Sequence, residues 1–271
     1  MKIIIFGANG MLGTYFKKYF EDKYDVLPVT RKDLDLSRSS EFEILDFLYK
    51  CDITSDDIII NAAGVIKQRD YHPMDMIKVN SIFPHILSSF RKIVGCKVIH
   101  ISTDCVFSGL TNILHDEDTK HDCVDDYGKS KSLGEPFNLT TIRTSIIGEE
   151  LQNKRSLLEW VISNEGNDIF GYDNHTWNGV TCLELCKLVQ NMINWDIFWD
   201  GDRHFHSPNS VSKFTLTSII NEVYKLNINI TPKDTEIPCF RILSSRSKSD
   251  LSITKSIRTQ IEELKEFKIN V

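Results

Sequence analysis

The stretch Lys2-Ile3-Ile4-Ile5-Phe6-Gly7-Ala8-Asn9-Gly10-Met11-Leu12-Gly13 decides the fold. Its opening is an apolar run that ends at glycine, the pattern of a strand covered on both faces in a parallel sheet. Glycines at 7, 10 and 13 then lead into a segment of helical period. Glycine allows a tight turn and close backbone approach, and the free amides and positive end of the following helix suit a pyrophosphate. A glycine pattern alone is a weak signal; between an apolar strand and a helix it reads as a dinucleotide loop.

The same alternation continues downstream. Strands are expected over 2–6, 25–29, 57–61, 97–102 and 140–144, with helices near 10–21, 39–50, 74–94 and 125–136. Pro84 is expected to kink or interrupt the third helix, because it removes a donor inside the turn. The fold class is therefore α/β, a Rossmann-type doubly wound parallel sheet. After residue 144 the pattern loosens, with helices near 154–163, 180–193 and 212–225 and short strands at 167–170, 203–207 and 228–231. The expectation is a dinucleotide-binding domain over 1–145, to which later segments return, and a smaller α/β substrate-binding lobe drawn mainly from 146–271.

With 271 residues, 41% of them hydrophobic and 26% charged, the chain has material for a real core, and disorder is excluded. The net charge is −6 and no basic block exceeds two residues, which disfavours nucleic acid. The amino-terminal apolar run is too short for a signal segment or a membrane span, so a cytoplasmic location without a membrane partner is expected. Seven cysteines, an odd number without a secretory signal, argue against a disulfide framework. They also lack zinc-ligand spacing, and His204 and His206 have no third ligand near in sequence, so no metal is expected.

Two further segments carry chemistry. The second strand runs into Thr30-Arg31-Lys32, whose cations favour the 2′-phosphate of NADPH, while Asp33 and Asp35 leave NADH open. Tyr127 and Lys131 are four apart and share one helix face. A phenol near pKa ~10 is a poor acid unless a nearby ammonium stabilises its anion, so Lys131 is expected to draw the Tyr127 pKa down. At the carboxyl edge of the fourth strand, Thr103 offers a hydroxyl to a carbonyl oxygen that Tyr127 can protonate. With a nicotinamide hydride this makes a complete carbonyl reduction.

Gly7-x-x-Gly10-x-x-Gly13, Asn61-Ala62-Ala63-Gly64, Val79-Asn80, the run from Ser102 to Gly109, Tyr127-x-x-x-Lys131 with Gly134-Glu135, and Arg143-Thr144-Ser145 resemble the extended short-chain dehydrogenase/reductases. Within them the chain is similar to the dTDP-4-dehydrorhamnose reductase type, from residue 1 to about 225. The resemblance implies a carboxy-terminal lobe gripping a nucleotide sugar and reduction of a 4-keto-6-deoxyhexose at C4. By position, Thr103, Tyr127 and Lys131 match its catalytic trio. Cofactor contacts are implied for Gly7, Asn9, Gly10, Met11, Leu12, Gly13, Arg31, Asp35, Leu36, Asn61, Ala62, Ala63, Gly64, Asn80, Ser102, Tyr127 and Lys131. Substrate contacts are implied for Val65, Thr103, Asp104, Cys105, Phe107, His175 and Trp177. Asn61 and Asn80 by themselves read as strand-end and helix polar residues.

The chain departs from that pattern in two places. Ile146 follows Arg143-Thr144-Ser145, where rhamnose enzymes typically carry a tryptophan against the sugar. Residues 174–181 replace an Asp-Gln-Gly-Pro-Thr-like loop. A UDP-linked 2-acetamido-2,6-dideoxy hexulose therefore stands beside the dTDP-linked sugar as substrate. Cys105 occupies the position of a cysteine acid/base in similar enzymes such as GDP-fucose synthase, which opens C3 epimerisation before reduction, with His175 as candidate partner. A non-catalytic regulatory subunit, as in the methionine adenosyltransferase beta subunit, is the alternative of another class. Relatives often dimerise through helices flanking the sheet, which makes a homodimer the assembly to test.

Overall fold

The computed structural model describes residues 1–67, 72–152, 154–246 and 251–269. The amino-terminal half lays out strand β1 (Lys2–Phe6), helix α1 (Met11–Phe20), β2 (Asp25–Val29), α2 (Glu41–Lys50), β3 (Ile58–Asn61), α3 (Pro73–Ile77), α4 (Phe83–Val94), β4 (Lys97–Thr103) and α5 (Asp126–Leu133). The six-stranded sheet runs in the order Gly201–His204, Thr140–Thr144, β4, β3, β1, β2. β1 pairs in parallel with both β2 and β3, and β3 with β4. The order reverses between β1 and β3, and their carboxyl ends carry the glycine loop and Asn61, where ligands of open α/β sheets collect.

The apolar runs are explained by this order. β1 and β3 lie inside the sheet, so Ile3 to Phe6 and Ile58 to Asn61 are all buried. Ile4, Phe6, Ile59 and Val98 share one core with Ile44 and Leu48 of α2 and Phe83, Leu87 and Phe90 of α4. Pro28 is tolerated because β2 is an edge strand. α2 starts at a capping box in which Ser40 and Glu43 satisfy each other's amides, as its sequence requires.

The helix expected over 74–94 is in fact three pieces. A π-helical turn, Lys78–Ile82, separates α3 from α4, and Pro84 sits in the first turn of α4, where its missing donor costs little. The interruption thus falls just upstream of the proline. The wide turn contains Asn80, and π turns of this kind frequently mark functional sites.

Two compact units interleave along the chain. The first comprises residues 1–106, 123–143 and 196–203; the second comprises 107–122, 144–195 and 204–271. Residues 107–122 belong to the second unit. In the second unit, strand Asp168–Tyr172 pairs in parallel with Asn229–Lys233. Strand His175–Trp177 pairs with Val211–Ser212 and with Cys239–Leu243. The last of these and helix Ile257–Glu266, with its buried Ile257, Ile261 and Leu264, have no counterpart in the elements read from sequence. No described helix is long and apolar enough to cross a membrane.

Candidate active site

The site is built on the carboxyl ends of β1, β3 and β4, and begins with the glycine loop. Gly7 has φ +77°, and a Cβ there would lie 2.7 Å from Ala63 Cα. A Cβ on Gly13 would lie 2.1 Å from the Gly7 carbonyl oxygen. The loop is thus folded onto itself and onto the Ala62-Ala63 segment at distances that admit glycine only. It is tied down by the amides of Gly7 and Ala8, which donate to Val29 O at 3.1 and 3.2 Å. Gly10 caps α1 without a side-chain hydrogen bond, so the first-turn amides at Met11, Leu12 and Gly13 look out of the helix end. These features fit the pyrophosphate of a dinucleotide.

At the end of β2 the two acids that left NADH open are held in local turns. Asp33 accepts from the Thr30 amide and hydroxyl at 2.8 and 2.7 Å. Asp35 accepts from the Ser37 amide and hydroxyl at 3.0 and 2.7 Å. The Thr30 bonds hold the Asp33 carboxyl below its ordinary range. Arg31 and Lys32 are exposed.

Behind the loop lies a buried polar chain. The Ala63 amide donates to Asn61 Oδ1 at 3.2 Å, so the Asn61 amide nitrogen points to His100 Nδ1, 3.0 Å away. The ring proton of His100 then sits on Nε2, which is buried without a hydrogen-bond partner among the described residues. Burial, and next the charge of Lys131, hold the His100 pKa well below its ordinary value. The unfolded chain therefore takes up a proton that the folded chain refuses once pH falls through about 6.5. Stability should decline below that pH by up to about 1.4 kcal/mol per unit more in the parent than in His100→Gln. Urea midpoints at several pH values check this, and parallel curves for the two proteins would refute it.

Asn80, which the resemblance puts at the cofactor, directs its amide elsewhere. Its Oδ1 accepts from the Val65 amide at 2.8 Å, and its Nδ2 donates to Val65 O at 2.9 Å and Ser130 Oγ at 3.0 Å. The π turn thus braces both the segment after Gly64 and helix α5. Val65 is buried through this brace and packs with Met76 and Val79.

Helix α5 reads Asp-Tyr-Gly-Lys-Ser-Lys-Ser-Leu, a poor helix by propensity. It is started by Asp125, whose carboxylate accepts from the Gly128 amide at 2.7 Å and pairs with Lys67 at 3.0 Å. Gly128 is a site residue that the motif reading missed. A Cβ there would lie 2.3 Å from Cys105 O and 2.6 Å from Cys123 Cβ, so only glycine lets the helix approach the turn Asp104–Val106 so closely. Its place directly after Tyr127 is the signal that the sequence offers.

This approach brings Tyr127, Lys131, Thr103 and Cys105 together. The half-buried Tyr127 phenol is hydrogen-bonded to the Thr103 hydroxyl. Thr103 Oγ1 also accepts from the Cys105 amide at 3.2 Å and contacts Asp104 Oδ1 at 3.2 Å. Lys131, 4% exposed, donates to Ile101 O at 2.7 Å. The expectation that Lys131 draws the Tyr127 pKa down is not met. Burial, followed by the neighbouring Cys105, pushes the phenol well above its ordinary value. Burial lowers Lys131 to about 8, opposed by the charge of Glu135. Both side chains lie on one helix face, and removal from water is the largest cause of each shift.

Ser102 donates its hydroxyl to Glu135 Oε1. The remaining predicted residues belong to the second unit. Phe107 is fully buried and stacks on the His115 ring with centroids 4.2 Å apart. His175 Nε2 lies 2.7 Å from the Thr235 hydroxyl, and Trp177 Nε1 donates to Ser145 Oγ at 2.8 Å.

The family model described as RmlD substrate binding domain matches residues 1–154. The spore coat polysaccharide biosynthesis protein SpsK of Bacillus subtilis (strain 168) is 29% identical over 150 residues, covering 54% of this chain and 51% of that protein. A dTDP-4-dehydrorhamnose reductase of Aggregatibacter actinomycetemcomitans is 32% identical over 230 residues, covering 78% of this chain and 75% of its own length. The chain thus spans about half of the first relative and three quarters of the second. Among solved structures, the dTDP-4-dehydrorhamnose reductase of Bacillus anthracis str. Ames in complex with NADP superposes with a TM-score of 0.82 at 22% identity, covering 98% of each chain. The reductase of Clostridium acetobutylicum ATCC 824 gives 0.79 at 21% identity, covering 98% and 99%. The structural likeness is one of fold; the matched segment, which includes the glycine loop and the Tyr127–Lys131 helix, shows that the chain belongs to the RmlD substrate binding domain family.

Proposed function

We propose that the chain reduces the C4 ketone of a nucleotide-linked 4-keto-6-deoxyhexose with a reduced nicotinamide dinucleotide, NADPH in preference to NADH. The observation that carries this reading is the clustering of Tyr127, Thr103 and Lys131 at the carboxyl end of β4, two strands from a glycine loop shaped for a pyrophosphate. We assign dinucleotide binding to the first unit and nucleotide-sugar binding to the second, with His175 and Trp177 in it.

When bound, the reduced nicotinamide supplies a hydride. Thr103 holds the ketone oxygen by its hydroxyl, and Tyr127 gives that oxygen its proton. A raised phenol pKa serves this role, because the group stays protonated at neutral pH while the alkoxide it protonates is far more basic. Lys131 has three protons and gives one to Ile101 O, which leaves donors for ribose hydroxyls. The matches to dTDP-4-dehydrorhamnose reductases support the dTDP-linked sugar, and the departures at Ile146 and residues 174–181 keep a UDP-linked amino sugar in the test.

Incubation with NADPH and a panel of dTDP- and UDP-linked 4-keto-6-deoxyhexoses tests the reading, with product identification by NMR. Consumption of cofactor with a 4-hydroxy product is the expected result, and no turnover of any member would refute it. Cofactor choice has its own check. Arg31→Ala should weaken NADPH binding about tenfold, as loss of a charged hydrogen bond does, and leave NADH binding unchanged in titration calorimetry. Equal loss for both dinucleotides would place the 2′-phosphate elsewhere.

A further inference from the structure

Three successive residues of β4 are each gripped by a residue of the α5 segment, at a spacing of four. Thr103 is bonded to Tyr127, the Ile101 carbonyl accepts from Lys131, and the Ser102 hydroxyl donates to Glu135. The third rung lies just past the helix, where Gly134 allows a close approach. A Cβ on Gly134 would lie 1.8 Å from Asn80 O.

Glu135 is held rigidly. Arg143, with its side chain 2% exposed, forks onto it, Nη2 to Oε2 at 2.6 Å and Nε to Oε1 at 3.3 Å. Arg143 Nη1 pairs in turn with Asp202 at 3.0 Å. Arg143 stands on the strand next to β4 and Asp202 on the edge strand beyond it, so the carboxylate is anchored across the sheet. Buried pairs of this kind contribute little stability over apolar side chains of similar volume. Lys131 and Glu135, four apart, clamp neighbouring residues of β4, Ile101 and Ser102, which sets the anchored carboxylate on the same stretch of strand as the buried ammonium.

We propose that Glu135 is a positioning residue for the reaction: anchored by Arg143 and Ser102, its carboxylate serves as counter-charge to Lys131 and holds the helix face bearing Tyr127 in register with Thr103. The inference rests on the reductase reading for its catalytic consequence. The charged and titratable groups around the ladder are Cys105, Asp104 and Asp125 near Tyr127, and His100 near Lys131 with His85 of α4 near His100. Arg143 and Asp202 complete the set. Of these, Glu135 is the one whose charge opposes burial at Lys131.

The test is a titration of lysine side chains by NMR on 13C-labelled protein without cofactor, the Lys131 resonance being assigned by its loss in Lys131→Met. The parent should titrate near 8. In Glu135→Gln the midpoint should fall by about one pH unit, as loss of a near counter-charge does. The alkaline limb of kcat/KM should move down with it. Because Glu135→Gln leaves Arg143 undercompensated, the double variant Glu135→Gln/Arg143→Met removes the whole pair and serves if the single variant does not fold. Its midpoint should fall by less than in Glu135→Gln, because Arg143→Met also removes a positive charge that disfavours the ammonium. An unchanged midpoint in either folded variant overturns the proposal. Parental turnover in Lys131→Met would instead sink the reductase reading, while the titration would still decide the action of Glu135 on Lys131.

Discussion

Tyr127→Phe should bind the dinucleotide as the parent does and lose turnover by ~10²–10⁴-fold, the contribution of a positioned general acid. The ring is retained, so the packing of α5 against the Asp104–Val106 turn is kept. What is removed is the hydroxyl and its bond to Thr103, a change of about 1 kcal/mol in stability. Steady-state rates with the ketosugar found active, together with calorimetric titration of NADPH, separate the two effects. Turnover near the parental value would remove Tyr127 from the chemistry. The direction of the pKa shifts adds a pH signature. The phenol holds its proton throughout neutrality, so the rate should stay level there and decline as pH rises through about 8, where Lys131 loses its charge.

Gly13→Ala should raise the dinucleotide dissociation constant by a factor of about a hundred or more, a loss near 2.7 kcal/mol. The new methyl would stand 2.1 Å from Gly7 O and 2.8 Å from Ala8 Cα. Both are backbone atoms, so no flexible side chain can give way, and the loop must part from the start of α1. The first-turn amides proposed to receive the pyrophosphate part with it. Circular dichroism and a thermal melt establish that the sheet survives, and titration calorimetry reads the affinity. Parental affinity in a folded Gly13→Ala protein would show that the loop does not cradle the phosphates.

Much of the amino-terminal half was legible because its signals are local. The apolar runs of β1 and β3, the Ser40 and Glu43 cap and the glycine spacing each act within a few residues. Helix α5 was placed by its motif although its propensity is poor, since Asp125 and tertiary bonds supply what Gly128, Ser130 and Ser132 lack. The second unit was read less completely. Strand Cys239–Leu243 pairs with residues more than sixty positions away, and such pairings leave no periodic trace in the sequence.

By itself the sequence determined where the proposed chemical groups stand: Tyr127 and Lys131 share a face because they are four apart, and Thr103 ends a strand because the apolar run ends there. Only the tertiary structure decided how those groups behave. Removal from water sends the phenol up and the ammonium down, against the mutual effect inferred from spacing. It also directed Asn80 to Val65 and Ser130, and set Glu135 between Ser102 and Arg143. Those outcomes depend on burial and on partners distant along the chain, and solvation is a property of the folded surroundings, not of the local order of residues.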